Sequence, residues 1–208
     1  MNLDFIDFVK TKQNMNGGAL TGDEMKKFLD ASYNNKINTV DGYVLDESVS
    51  GKTSRVFVNP ETGQTIVSHQ GTQGLTDWGN NLAFAIGGKK LYKQTGRYKE
   101  AKRIQDRAME KYGTDNLTTI GHSQGGLQAE MLGSKGNEII TVNKATRPLT
   151  NRKKSNQYDI RVKGDVISSL NPFQKKSKRD VEINKKGFNP LAHHSYNVLG
   201  KIKGKIGK

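Results

Sequence analysis

Leu117-Thr118-Thr119-Ile120-Gly121-His122-Ser123-Gln124-Gly125-Gly126 runs a short apolar, β-prone stretch into a serine flanked by glycines, then into a helical pattern carrying Leu127, Ala129, Met131 and Leu132. A nucleophilic serine at a sharp strand-to-helix turn needs small residues two before and two after it, because strand and helix must approach closely. Gly121 and Gly125 stand at those positions. In that geometry the Ser123 hydroxyl points up from the sheet, and the Gln124 N–H, at a helix N-terminus, is free to bind an oxyanion. With 23 glycines in 208 residues, the same spacing arises by chance in roughly one such chain in seven. Context therefore matters more than the string, and a strand before it with a helix after it points to a serine hydrolase.

Working outward, Tyr98, Ala101, Ile104, Ala108, Met109 and Tyr112 form an amphipathic helix stopped by Gly113, leading into the strand that carries the serine. Downstream, 138–142 and 158–162 read as strands, separated by the polar stretch 144–157. Upstream, 56–58 and 65–67 flank a turn-rich Asn59-Pro60-Glu61-Thr62-Gly63 and predict a β-hairpin. Val40 to Leu45 reads as one short strand. A helix is expected from Thr21, with Glu24 closing a capping box and Met25, Phe28 and Leu29 as its buried stripe. Phe5 to Val9 gives a short apolar helical patch, and a further helix is expected from Thr76-Asp77 through Trp78, Leu82 and Phe84. Lys89 to Gly96 reads as a polar connection. Strands alternating with helices predict an α/β fold with a mainly parallel sheet between helices, whose chemistry gathers at the carboxyl ends of the strands.

A serine at its ordinary pKa needs a base, normally a histidine oriented by a buried carboxylate. In α/β-hydrolases the order is serine, acid, histidine. Asp165 sits just past a predicted strand and is the preferred acid; Asp159 lies within the strand, and Asp180 and Glu182 lie among lysines, where solvated ion pairs are the simpler reading. His193 and His194 are the histidines after the acid, so either could be the base, whereas His69 and His122 precede it. His122 is expected to help shape the turn. The loop after the hairpin, Gln70-Gly71-Thr72, would expose backbone N–H groups, with Thr72 as a second oxyanion donor.

The chain is 208 residues, long enough for one domain with a sizeable core, at a mean hydropathy of −0.75. It has no cysteine, which removes disulfides, thiolate metal sites and a cysteine nucleophile. No cluster has metal-ligand spacing, so no metal and no organic cofactor is implied. Neither a signal peptide nor a membrane-length apolar run is evident, and synthesis in a cytoplasm is expected. Charge is uneven: Lys144 to Lys208 holds 17 Lys and Arg against 4 Asp and Glu, which is +13 of the formal +14. Such a region would be drawn to an anionic membrane or, less favourably, to nucleic acid, or would simply keep the surface solvated.

Three segments resemble one family, the class 3 lipases, α/β-hydrolases acting on acylglycerols and phospholipids. They are His69-Gln70-Gly71-Thr72 with Leu75-Thr76-Asp77-Trp78-Gly79-Asn80-Asn81-Leu82, the elbow Gly121 to Gly126, and Gly164-Asp165-Val166-Ile167. The resemblance implies Ser123 as nucleophile, Asp165 as acid, His194 rather than His193 as base, and Thr72 and Gln124 as oxyanion donors. Gln70 and Gln124 depart from the arginine and leucine common in the family. The stretch Phe84 to Tyr98, where such enzymes carry a lid, is short and lysine-bearing, so little or no lid is expected. Small viral members without a secretion signal, carried with the virion, fall within the resemblance. The expected product is a single α/β-hydrolase domain over 1–200 with a flexible basic tail at 201–208, cleaving lipid esters in a lipase- or phospholipase A-like manner. The competing expectation is a basic binding module, for membrane or nucleic acid, on a hydrolase scaffold.

Overall fold

A computed structural model describes residues 19–72, 89–145, 154–165, 178–184 and 193–207. After a two-residue strand β1 (Leu20–Thr21), helix α1 (Gly22–Tyr33) starts where its cap dictates. Thr21 Oγ1 accepts from the Glu24 N–H at 3.1 Å and Glu24 Oε2 accepts from the Thr21 N–H at 2.7 Å, so both halves of the capping box are closed. Such a cap is worth about 1 kcal/mol. Met25, Phe28 and Leu29 are fully buried beneath it.

The next two strands, β2 (Thr39–Val40) and β3 (Tyr43–Leu45), correct the single strand expected over 40–45. Asp41 and Gly42, at φ 45° and 85°, make a two-residue turn between them. Asp-Gly tolerates the left-handed backbone that such a hairpin turn demands. The predicted hairpin follows as β4 (Ser54–Val58) and β5 (Thr65–His69), paired antiparallel from Ser54 against His69 to Val58 against Thr65.

Helix α2 (Lys89–Gln94) occupies the start of what was read as a polar connection, and Tyr92 is why. Its ring is buried and packs edge-on to Tyr98 of α3 (Gly96–Tyr112), centroids 5.4 Å apart. Then come β6 (Leu117–His122), α4 (Gln124–Leu132), β7 (Glu138–Val142), β8 (Gln157–Val162) and β9 (Asp180–Ile183).

The eight-stranded sheet is ordered β2-β3-β4-β5-β6-β7-β8-β9, antiparallel up to β5 and parallel from β5 to β9. Side-chain alternation divides the core between its two faces. Phe57, Ile66, Ile120, Ile140 and Val142 pack with α1, while Val56, Val58, Val67 and Leu117 pack with Ile104, Ala108 and Tyr112 of α3. This is the expected α/β architecture.

A strand not expected from the sequence follows: Asp180 and Glu182 belong to edge strand β9, whose Val181 and Ile183 face the core in the intervening positions while Glu182 stays exposed. The segment 201–208, read as a free basic tail, instead carries β10 (Lys205–Ile206), antiparallel to β1 with Leu20 opposite Ile206. Its apolar residues explain this: Ile206 is buried and Ile202 packs on the core, while Lys201, Lys203 and Lys205 stay exposed. A 3-10 helix over Tyr196–Lys201 joins it to the segment before, inserting Val198 and Leu199 against α1. The helices expected over Phe5–Val9 and from Thr76 to Phe84 lie outside the described residues, as do residues 84–88 at the start of the lid stretch; the rest of that stretch is α2, Thr95 and the first turn of α3.

Candidate active site

The parallel strands β6, β7 and β8 end on one rim of the sheet, and the elbow rises from β6. Ser123 has φ 55° and ψ −121°, a strained backbone that non-glycine residues adopt where function demands it. The flanking glycines answer a spatial requirement. A Cβ on Gly121 would lie 2.2 Å from the Gly125 carbonyl oxygen, and one on Gly125 would lie 2.1 Å from the His69 carbonyl oxygen. The turn is pinned to β7 and beyond it, because the Ser123 N–H donates to the Val142 carbonyl at 3.0 Å and the Ser123 carbonyl accepts from the Ala145 N–H at 2.9 Å.

His194 reaches this serine from 71 residues away in the chain: its Nε2 lies 2.8 Å from Ser123 Oγ. Its Nδ1 lies 3.0 Å from Asp165 Oδ1. Asp165 is fully buried just past β8, after a turn at Gly164 (φ 85°) that returns the Asp165 N–H to the Val162 carbonyl at 3.1 Å. A carboxylate accepts only, so Nδ1 carries the proton and Nε2 is left as acceptor for the serine hydroxyl. His193 faces away, donating from Nδ1 to the Lys163 carbonyl at 2.8 Å. The structure thus brings Ser123, Asp165 and His194 together and leaves His193 bound to the turn that precedes Asp165.

Thr72 and Gln124 also meet: Thr72 Oγ1 donates to Gln124 Oε1 at 2.9 Å. Gln124 is the first residue of α4, where backbone N–H groups have no intrahelical acceptor. Gly71 lies beside the serine; a Cβ added there would be 3.3 Å from the Ser123 Cβ. Arg97 of α3 holds this loop from behind, donating through Nη2 to the Gln70 and Gly71 carbonyls. The guanidinium touching the loop therefore comes from α3, not from position 70.

Asn143 escaped the sequence reading. Fully buried at φ 42°, just past β7, its Nδ2 donates to the carbonyls of His193, His194 and Ser195 at 3.1, 3.1 and 3.3 Å. Its Oδ1 accepts from the Val162 N–H at 2.8 Å. One side chain thus ties β8 to the histidine segment. The signal was an asparagine closing Ile139-Ile140-Thr141-Val142, since Asn tolerates left-handed backbone where an apolar residue would not.

Asp159 is no rival acid. Its two oxygens accept from Lys144 Nζ at 2.9 Å each, and the same ammonium reaches Glu130 Oε2 at 2.5 Å, all three residues being buried. This group lies beneath the elbow, where Lys144 packs against Gly126.

The two upstream histidines are core residues. His69 Nδ1 meets Ser54 Oγ at 2.7 Å and Nε2 meets Gln105 Oε1 at 3.1 Å; burial pushes its pKa down to about 4. His122 is pushed down to about 3, by burial first and then by neighbouring His194. Both folded values lie below the ordinary 6.5, so the unfolded chain binds these protons first. Their stabilisation is present above about pH 6.5 and is lost as pH falls toward 4 and 3, by about 1.4 kcal/mol per pH unit for each imidazole within its window. Urea midpoints should therefore fall steadily from pH 6.5 to 5, with a shallower slope in His69→Gln. A midpoint unchanged over that interval would show that these imidazoles are not held neutral.

The model of a phospholipase-like family, the Tle-like phospholipase domain, matches residues 20–177. The chain belongs to this family. The matched part of this Tle-like phospholipase domain includes Thr72, Ser123 and Asp165, and His194 lies beyond it. Among solved structures the chain is similar to a triacylglycerol lipase from Penicillium expansum, at 14% identity and TM-score 0.51, covering 86% of this chain and 81% of that one. It is likewise similar to the Lip2 lipase from Yarrowia lipolytica, at 12% identity and TM-score 0.51, covering 88% and 80%. No curated protein matches the sequence. The fold of this Tle-like phospholipase domain is that of the α/β-hydrolases, and the lipase family read from the sequence holds: the protein is a lipase-like hydrolase. Among the described residues, no helix is long and apolar enough to cross a membrane.

Proposed function

We propose that the protein is a serine carboxylic-ester hydrolase for phospholipids, with Ser123 as nucleophile, His194 as general base and acid, and Asp165 as the carboxylate that orients it. The observation carrying this reading is the unbroken line from Ser123 Oγ to His194 Nε2, and from His194 Nδ1 to Asp165, at one rim of the sheet. Ser123 Oγ attacks the ester carbonyl carbon as its proton passes to His194 Nε2. The backbone N–H groups of Thr72 and Gln124 receive the oxyanion, each worth about 3 kcal/mol of barrier. Collapse expels the alcohol, which takes the proton from His194. Water then attacks the acyl-enzyme, giving a proton to His194, which returns it to Ser123 Oγ as the fatty acid leaves. Asp165 keeps Nδ1 protonated and stabilises the imidazolium throughout. The catalytic unit on this reading is a single domain that runs through β10.

The substrate class follows from charge. With 17 cations against 4 acids after position 143, and Lys201, Lys203 and Lys205 exposed along the last segment, the protein favours esters presented on an anionic surface. Each lysine near such a membrane contributes about 1 kcal/mol, and this attraction is confined to the Debye length. Hydrolysis of vesicles rich in anionic phospholipid should outpace that of zwitterionic vesicles at low salt, with the advantage shrinking as salt rises. Equal rates on both surfaces at every salt concentration would remove the anionic-surface preference.

A further inference from the structure

Tyr33 ends α1, an element that looked from the sequence like packing alone. Its hydroxyl oxygen accepts from the Gly71 N–H at 2.9 Å and lies 3.1 Å from His122 Nδ1. On the other side of that ring, His122 Nε2 lies 2.7 Å from the His194 carbonyl oxygen. Proton positions follow by elimination. A carbonyl can only accept, so Nε2 bears hydrogen; the Gly71 amide can only donate, so the tyrosine oxygen receives it and directs its own proton to an unprotonated Nδ1. Every group in the line has one direction open to it.

We propose that Tyr33 and His122 are positioning residues for ester hydrolysis, forming a one-way hydrogen-bond strut that sets the oxyanion loop at Gly71 against the segment carrying His194. This rests on the reading of Ser123, His194 and Asp165 given above. Neither residue touches the scissile bond. The strut spans two parts of the site that come from stretches far apart in the chain, while His122, directly before Ser123, fixes its midpoint to the elbow. Rings reinforce it: Tyr33 stacks on Tyr196 at 5.7 Å with an interplanar angle of 17°, and His122 sits edge-on to Tyr196 at 4.9 Å. Burial holds His122 neutral, which preserves the direction of the line. A misplaced loop next to a reacting carbonyl weakens transition-state binding much more than substrate binding.

The test uses the full chain, a water-soluble short-chain nitrophenyl ester, and an alkyl boronic acid that forms a tetrahedral adduct on serine. Tyr33→Phe should lower kcat by about 10- to 100-fold, leave KM within about twofold, and weaken boronate binding by the same factor as kcat. His122→Gln, whose amide can still donate toward the His194 carbonyl, should retain more activity than His122→Ala. A folded Tyr33→Phe with the parent's kcat and boronate affinity overturns the proposal. Should that variant fail to fold, His122→Gln decides on the same two readouts, and equality with the parent again overturns it. The underlying reading fails separately: turnover that survives Ser123→Ala removes the nucleophile, whereas Ser123-dependent turnover indifferent to Tyr33 removes the strut alone.

Discussion

Ser123→Ala should lower hydrolysis of a soluble ester by about a million-fold, because the hydroxyl that would form the acyl-enzyme is gone while the oxyanion donors remain. The fold should survive, since alanine keeps the Cβ that already sits at φ 55° and the backbone bonds of residue 123 to Val142 and Ala145 do not involve the side chain. Two measurements check this together. Turnover should vanish at unchanged circular dichroism, and covalent capture by a fluorophosphonate probe, strong in the parent, should disappear. A parent protein that the probe does not label would favour a basic binding module on a hydrolase scaffold.

For Asp165→Asn the expected loss is about ten thousand-fold in kcat, with little change in KM. Asp165 is fully buried and accepts the hydrogen bond from His194 Nδ1 at 3.0 Å. An amide in its place can turn its NH2 toward Nδ1, which drives the imidazole proton onto Nε2 and leaves nothing to accept from Ser123. The side chain's volume hardly changes, so the packing around it should hold. Because His194 lies outside the family-matched residues, this substitution probes whether the carboxylate works through that histidine. A variant retaining a tenth of the parent rate would assign the acid's role elsewhere.

The elements that the sequence announced were those whose signal is local. The capping box at Thr21 and Glu24, the hairpin around Asn59 to Gly63, the amphipathic run from Tyr98 to Tyr112 and the glycine-flanked elbow each combine a periodicity with a turn or cap a few residues away. The elements missed depend on distant partners or on patterns masked by charge. Strand β9 has its alternating Val181 and Ile183 set among lysines, which read as solvated. The pairing of β1 with β10 joins two-residue strands too short to carry any periodicity. The same division runs through the site: Ser123 and Asp165 could be read from their flanking strands, whereas the residues alone left His193 and His194 open, the family resemblance favoured His194, and the structure adds that Lys163 claims His193. Tyr33 sits 89 residues from His122, and nothing near it in the chain hints at that contact. Asn143 serves three carbonyls some fifty residues later, a role that no local pattern encodes.

Because Ile206 docks beside Leu20, the stretch leaving His194 is moored at its far end as well as at Asn143. Cargo appended after that strand, such as an affinity handle or a fluorescent reporter, would pull on the same mooring line that steadies the imidazole. Labels intended to report on activity are better attached to an exposed turn at the other end of the strands from Ser123, such as the one at Glu61.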